Sequence, residues 1–121
     1  MTSRILAVAI DTPPDHADLR AFWCAALGYR ETRTWTDAKG LEYTELTGDG
    51  PTLLLQPVPE PKVGKNRLHL DVVADRDRDA EVARLVGFGA TVISKDPALP
   101  WVVLSDPAGN EFCVLPPSSL S

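Results

Sequence analysis

Apolar and polar positions along the chain follow two rhythms, a period of two and a period near 3.6, and the switches between them outline ten elements. Residues 5–10 are wholly apolar, as expected for a strand buried on both faces, and Thr12, Pro13 and Pro14 end it. From Asp15 the period becomes helical. Leu19, Phe22, Trp23, Ala26 and Leu27 form one stripe, Trp23 is expected in the core, and Gly28 is the stop. Strands are then expected over 29–36, Glu42–Thr47 and 52–56, separated by turns at 37–40 and 48–51, with Pro57 ending the third.

Residues 57–65 hold Pro57, Pro59, Pro61, Lys62, Gly64 and Lys65, and read as a Pro-rich linker. Beyond it the same order returns. A strand is expected over 67–73, and a helix capped by Asp75 with Val82, Leu85 and Val86 on its apolar face, with Gly87 and Gly89 as stops. Strands over Thr91–Lys95, 101–105 and Glu111–Leu115 complete the series, with 106–110 as the turn between the last two. The chain thus reads as two βαβββ halves, 1–60 and 66–121, of one α+β domain. Pairing Asp11 with Asp75 as equivalents sets Ile5 against His69. Tyr43, Leu46 and Thr47 then parallel Trp101, Leu104 and Ser105, and Leu54 and Pro57 parallel Cys113 and Pro116.

Composition narrows the class. A chain of 121 residues with 44% apolar content suffices for one core without disulfides. Its two cysteines, Cys24 and Cys113, each in an apolar run, are expected as reduced thiols in a cytoplasmic protein. No signal-peptide pattern and no membrane-spanning run is seen. A net charge of −5 without a Lys/Arg cluster disfavours nucleic acid, so the expected partner is a neutral or weakly charged small molecule.

Strand parity proposes where that molecule would meet the chain. Leu68, Leu70 and Val72 make an apolar face, so Arg67, His69, Asp71 and Val73 look the other way. Cationic, imidazole and carboxylate groups on one face suit a wet or ligand-filled concavity. By the same parity Tyr43 and Glu45, Leu54 and Gln56, Trp101 and Val103, and Cys113 and Leu115 are candidate lining sets, with Tyr43 and Trp101 as stacking walls. His69 and Asp71 are a candidate acid/base pair, although two steps along a strand separate their Cα atoms by about 6.5 Å. His16, at a Pro/Asp-rich helix start, is expected to be exposed and without a role. Asp106 and Asn110 are expected to form the turn.

Two stretches carry a resemblance. Phe22-Trp23-Cys24-Ala25-Ala26-Leu27-Gly28-Tyr29 resembles the first-helix signature of the vicinal oxygen chelate (glyoxalase/bleomycin resistance/dioxygenase) superfamily, and Ser105-Asp106-Pro107-Ala108-Gly109-Asn110-Glu111-Phe112 resembles its final-hairpin signature. With the repeated βαβββ order, the likeness covers essentially the whole chain and is nearest to glyoxalase-like members without an assigned activity. It implies an eight-stranded open half-barrel with two helices on its outer side, and a homodimer. It also implies metal ligands on the first, fourth, fifth and eighth strands, positions that here hold Ile5, Leu54, His69 and Cys113. Only His69 is of the usual ligand type, so no cofactor is expected; a divalent metal, if bound, would use His69 with Gln56 or Cys113.

Two functions remain open. One is a metal-independent protein that sequesters or carries a hydrophobic or aromatic metabolite or antibiotic, as bleomycin-resistance-like members do. The other is a lyase, isomerase or oxygenase-type enzyme with an atypical metal site or metal-free His69/Asp71 chemistry.

Overall fold

A computed structural model describes residues 1–120. Among these, two α-helices and two four-stranded mixed sheets form two compact units, residues 1–61 and 62–120, each a βαβββ module.

The first module runs β1 (Val8–Thr12), α1 (Ala17–Leu27), β2 (Arg30–Thr36), β3 (Glu42–Thr47) and β4 (Leu53–Pro57), with sheet order β1-β4-β3-β2. The β1–β4 pair is parallel and the other two are antiparallel. Leu19, Phe22 and Trp23 of α1 are buried, with the two rings edge-on at 5.1 Å, and the strands supply Leu46, Leu53, Leu55 and Thr44 to the core. Each buried leucine or phenylalanine side chain contributes about 1.5–3 kcal/mol by leaving water. Gly28 takes the left-handed conformation, φ 67°, that closes α1. The Tyr29 ring lies so close over Gly48 that no Cβ would fit there, and its hydroxyl donates to Pro51 O at 2.8 Å, clamping the β3–β4 turn.

The second module runs β5 (Leu70–Val73), α2 (Arg78–Gly87), β6 (Thr91–Lys95), β7 (Val102–Ser105) and β8 (Glu111–Leu115), ordered β5-β8-β7-β6. Leu85, Ala74, Ala90, Val102, Leu104, Phe112 and Val114 form its core. The two modules share even an irregularity: the β2–β3 ladder shifts register between Glu31 and Arg33, and the β6–β7 ladder between Val92 and Ser94. A bulge at the same place in both halves bends the edge strand and sharpens its twist.

Several expectations are corrected. The first strand is not 5–10 buried on both faces. Its neighbour in the sheet, β4, begins opposite Val8, so Ile5 (87%) and Leu6 (91%) lie unpaired and exposed, while Ala9 and Asp11 pair with β4 but are exposed on the open face of this edge strand. The fifth strand likewise begins only at Leu70. The preceding segment turns away to contact Glu111, and Leu68 is 91% exposed rather than part of an apolar face. Pro57 is the last residue of β4 rather than a residue beyond it, a position where its missing N–H costs no ladder bond because the β3 pairing ends at Leu55. Trp101 precedes β7 and is exposed. The α2 cap is Asp77, not Asp75: Asp77 is extended and its carboxylate accepts from Ala80 N at 3.1 Å. Val86 of α2 is exposed.

The internal equivalence also moves at one end. Leu54 pairs with Ala9 and Cys113 with Asp71, so Asp11 corresponds to Val73, and Ala7 rather than Ile5 corresponds to His69. Asp75 lies past the strand, in the loop to α2. The β3/β7 correspondence holds, since Glu45 opposes Leu54 as Val103 opposes Cys113.

His16 is buried at 5% exposure, contrary to the expectation of an exposed side chain. Thr12 Oγ1 donates to Pro13 O at 2.9 Å, so it accepts from His16 Nδ1 at 3.3 Å, which assigns the ring proton to Nδ1. Thr44 Oγ1 then donates to Nε2 at 3.0 Å. One imidazole thus ties the end of β1 and the start of α1 to β3.

Candidate functional site

Parallel pairing of β5 with β8 sets Asp71 directly beside Cys113, and antiparallel pairing of β7 with β8 sets Val103 on the other side of Cys113. Alternation places Phe112, Val114, Val102 and Leu104 toward the core, so Asp71, Val73, Val103, Cys113 and Leu115 occupy the opposite face. His69 stands just before β5. Its Nε2 reaches Asp71 Oδ1 at 3.1 Å, closing the gap that strand spacing alone left open.

The three groups form one cluster. A ring nitrogen of His69, a carboxylate oxygen of Asp71 and Cys113 Sγ all lie within 4.8 Å of one another. His69 and Asp71 are 41% and 59% exposed at the side chain, whereas Cys113 is buried. Burial pushes the Cys113 thiol up, and the negative charge of Asp71 and its hydrogen bond push it further, against a smaller opposing effect of Lys65. As it stands the thiol is therefore a protonated, poorly nucleophilic group. The imidazole, held through Nε2 by a carboxylate, keeps Nδ1 for a proton from or to a ligand, the arrangement by which a carboxylate orients a histidine base.

Next to the cluster, Glu111 is bound from the segment that leads into β5. Lys62 Nζ contacts its Oε1 at 2.9 Å, and Asn66 N donates to the same oxygen at 3.0 Å. Lys62 also donates to Gly64 O, and Asn66 Nδ2 lies 3.5 Å from Asn110 Oδ1. Burial raises the Glu111 carboxyl, but the Asn66 and Lys62 hydrogen bonds outweigh it and leave the group below its ordinary value. This latch had no signal in the sequence, because its partners are far apart along the chain.

The remaining sequence-derived residues are not part of this cluster. Arg67 is exposed, in the bend before β5, and Trp101 is exposed just before β7. Tyr43, Glu45, Leu54 and Gln56 lie on the equivalent face of the first module's own sheet. There Tyr43 stacks on Trp35 at 5.6 Å and 5°, its cross-strand partner, and donates to Asp37 Oδ2 at 3.1 Å. The Arg33 guanidinium covers Trp35 at 4.3 Å. Trp35 was missed as a neighbour of Tyr43, although counting outward from the strand ends Thr36 and Glu42 pairs them. Asp106 and Asn110 serve the hairpin: Asp106 Oδ1 accepts from Ala108 N and Asn110 N, each at 2.9 Å.

The register counterparts of His69 and Cys113 in the first module are Ala7 and Leu54, and neither offers a ligand atom. Correcting the register replaces Ile5 by Ala7 and leaves that conclusion unchanged.

Comparison with known proteins agrees with the fold. The sequence profile described as Glyoxalase-like domain matches residues 7–115. No curated protein sequence matches the chain at a significant level. Among solved structures, a glyoxalase/bleomycin resistance protein/dioxygenase family enzyme from Burkholderia phytofirmans PsJN superposes with a TM-score of 0.71 at 21% identity, covering 92% of this chain and 96% of that one. The fosfomycin resistance protein FosX from Listeria monocytogenes, as a mutant complexed with Mn(II) and 1S,2S-dihydroxypropylphosphonic acid, gives 0.76 at 13% identity, with 95% and 93% covered. The trypanothione-dependent glyoxalase I of Leishmania major gives 0.67 at 19% identity, with 98% and 90% covered. At such identities these structures share a fold with the chain. With the profile match spanning nearly all of both βαβββ modules, this chain belongs to the glyoxalase-like domain family.

Proposed function

We propose that this protein binds a small molecule with an apolar body and at least one hydrogen-bonding group, on the sheet face of its second module. The observation that supports this is the His69–Asp71 pair, 3.1 Å apart and accessible, beside half-buried Val73, Val103 and Leu115. Apolar surface around a few convergent polar groups is what small-molecule sites are made of. Arg67 and Trp101, just before β5 and β7, are secondary contacts in this reading, and Tyr43, Glu45 and Gln56 are a separate candidate set on the first module's own sheet. The net charge of −5 favours a neutral or cationic ligand. No helix is long and apolar enough to cross a membrane, and two free cysteines suit a reducing compartment such as the cytoplasm. The exposed edge strands β2 and β6 suit association into a homodimer, which light scattering checks.

Amide-resolved NMR with a panel of aromatic and vicinal-oxygen fragments tests the reading. Shifts are expected at Asp71, Val103 and Cys113, with affinity falling at least about tenfold in His69→Ala. Binding that maps only to other residues, or that is indifferent to His69, refutes it.

A second reading is favoured by the carboxylate-held imidazole: His69 acts as acid/base on the bound molecule, oriented by Asp71. Turnover that vanishes in His69→Gln while ligand affinity persists distinguishes it from binding alone.

A further inference from the structure

The mismatch between this chain and a metal site shared by two modules has a positive side. Donor atoms absent at Ala7 and Leu54 are replaced by a set contained in one module: the imidazole of His69, the carboxylate of Asp71 and the thiol of Cys113. The geometry points to a zinc-type site built by the second module alone, with Cys113 as a thiolate ligand and one coordination position left for a ligand oxygen or water. The inference rests on the proposal that this face is the functional one.

Three features support it. Around a tetrahedral zinc ion, ligand distances of roughly 2.0–2.3 Å put neighbouring donor atoms about 3.3–3.8 Å apart. The three donors here already lie within 4.8 Å, and His69 and Asp71 are 3.1 Å apart, so modest side-chain rotations enclose an ion. Two of the donors hang from ladder partners, Asp71 and Cys113, and so are positioned by backbone pairing rather than by a loop. Charge also balances: a thiolate and a carboxylate neutralise a divalent ion, which lets the buried Cys113 enter the site without stranding charge.

Binding is an exchange of ions. The Cys113 S–H bond breaks, a sulfur–metal bond forms and the proton leaves to solvent; nothing is oxidised or reduced. Softness then sets the preference. A thiolate and an imidazole select zinc, cobalt(II) or cadmium, whereas manganese and magnesium prefer all-oxygen sets. This chain is therefore expected to discriminate against Mn(II), the ion in the fosfomycin resistance protein complex.

The test uses the full chain, purified without a polyhistidine tag, stripped with chelator and titrated with Co(II). One equivalent is expected to give tetrahedral cobalt bands in the visible and a sulfur-to-cobalt charge-transfer band in the near ultraviolet, both displaced by Zn(II) and unaffected by excess Mn(II). Cys113→Ser abolishes the charge-transfer band and Cys24→Ser leaves it. His69→Ala weakens zinc by more than the roughly 10–100-fold that loss of an outer-shell partner costs. Zinc also slows alkylation of Cys113 in the wild type but not in His69→Ala, with circular dichroism verifying the fold of each variant. A folded wild type that shows neither the band nor the protection overturns the inference, as does a band that follows Cys24. Fragment shifts on this face without any cobalt band overturn the metal site alone and leave the binding reading standing.

Discussion

Replacing Asp106 with alanine removes the acceptor around which the final hairpin turns. The carboxylate is buried; its Oδ1 accepts from Ala108 N and Asn110 N at 2.9 Å each, and its Oδ2 accepts from Asn110 Nδ2 at 3.2 Å. Hydrogen bonds to a charged group are worth about 1.5–3 kcal/mol each, and the three share one residue, so they do not add fully. The backbone bonds Asp106 N to Asn110 O and Gly109 N to Asp106 O survive the substitution. A net loss of about 3 kcal/mol follows, a sizeable share of the roughly 5–15 kcal/mol that holds a domain together, and a fall in Tm of about 10 °C. Asp106→Asn keeps an oxygen for the two backbone N–H groups but opposes its own N–H groups to Asn110 Nδ2, and costs about 1 kcal/mol. Urea unfolding of the three proteins measures both values. Below its unfolding range the alanine variant keeps the ligand affinity of the wild type, because Asp106 acts on the turn and not on the face that carries His69. A cost under about 1 kcal/mol for the alanine variant, or lost affinity in a folded protein, refutes this reasoning.

Removal of the buried imidazole in His16→Ala takes away the acceptor of the Thr44 hydroxyl and the donor to Thr12 Oγ1, and is expected to destabilise the first module by about 2–3 kcal/mol, read as a shift in urea midpoint. The Asp37 carboxyl is held below its ordinary value, first by the Leu41 N–H, against some desolvation, and then by the Lys39 N–H, the Tyr43 hydroxyl and the Lys39 charge. A depressed folded value means that the stability Asp37 contributes is complete above the ordinary carboxylate value and is lost as pH falls through the depressed one. Carbon-13 titration of Asp37 is expected to show a midpoint below about 3.9, rising part of the way back in Tyr43→Phe; an unshifted midpoint contradicts the turn geometry.

What was legible in the sequence is what short-range patterns determine. Alternation located Glu42–Thr47, Thr91–Lys95 and Glu111–Leu115 to the residue. It also placed Asp71 and Cys113 on one face, since parity needs only the strand itself. Strand ends were not legible, because they depend on where the neighbouring strand starts: Leu68 looks as suited to a strand as Leu70 but has no partner beside it. The bulges in β2 and β6 were invisible for a related reason, as Thr32 and Ile93 are ordinary strand residues and only pairing reveals the slip. His16 was misjudged because its partner Thr44 lies in another strand, and a lone histidine among polar residues carries no sign of such a contact. At the site, strand spacing supplied the face, while the 3.1 Å contact of His69 with Asp71 is a matter of rotamer.

Ligand and metal binding on this face both depend on that contact, and the imidazole nitrogens report it directly. In a long-range proton–nitrogen spectrum of the metal-free protein, His69 is expected to carry its proton on Nε2, facing Asp71. Asp71→Asn should move the His69 ring signals and the Cys113 amide together, while Asp75→Asn moves neither. A His69 ring whose spectrum does not change when Asp71 is replaced would contradict the cluster on which the binding and metal readings both stand.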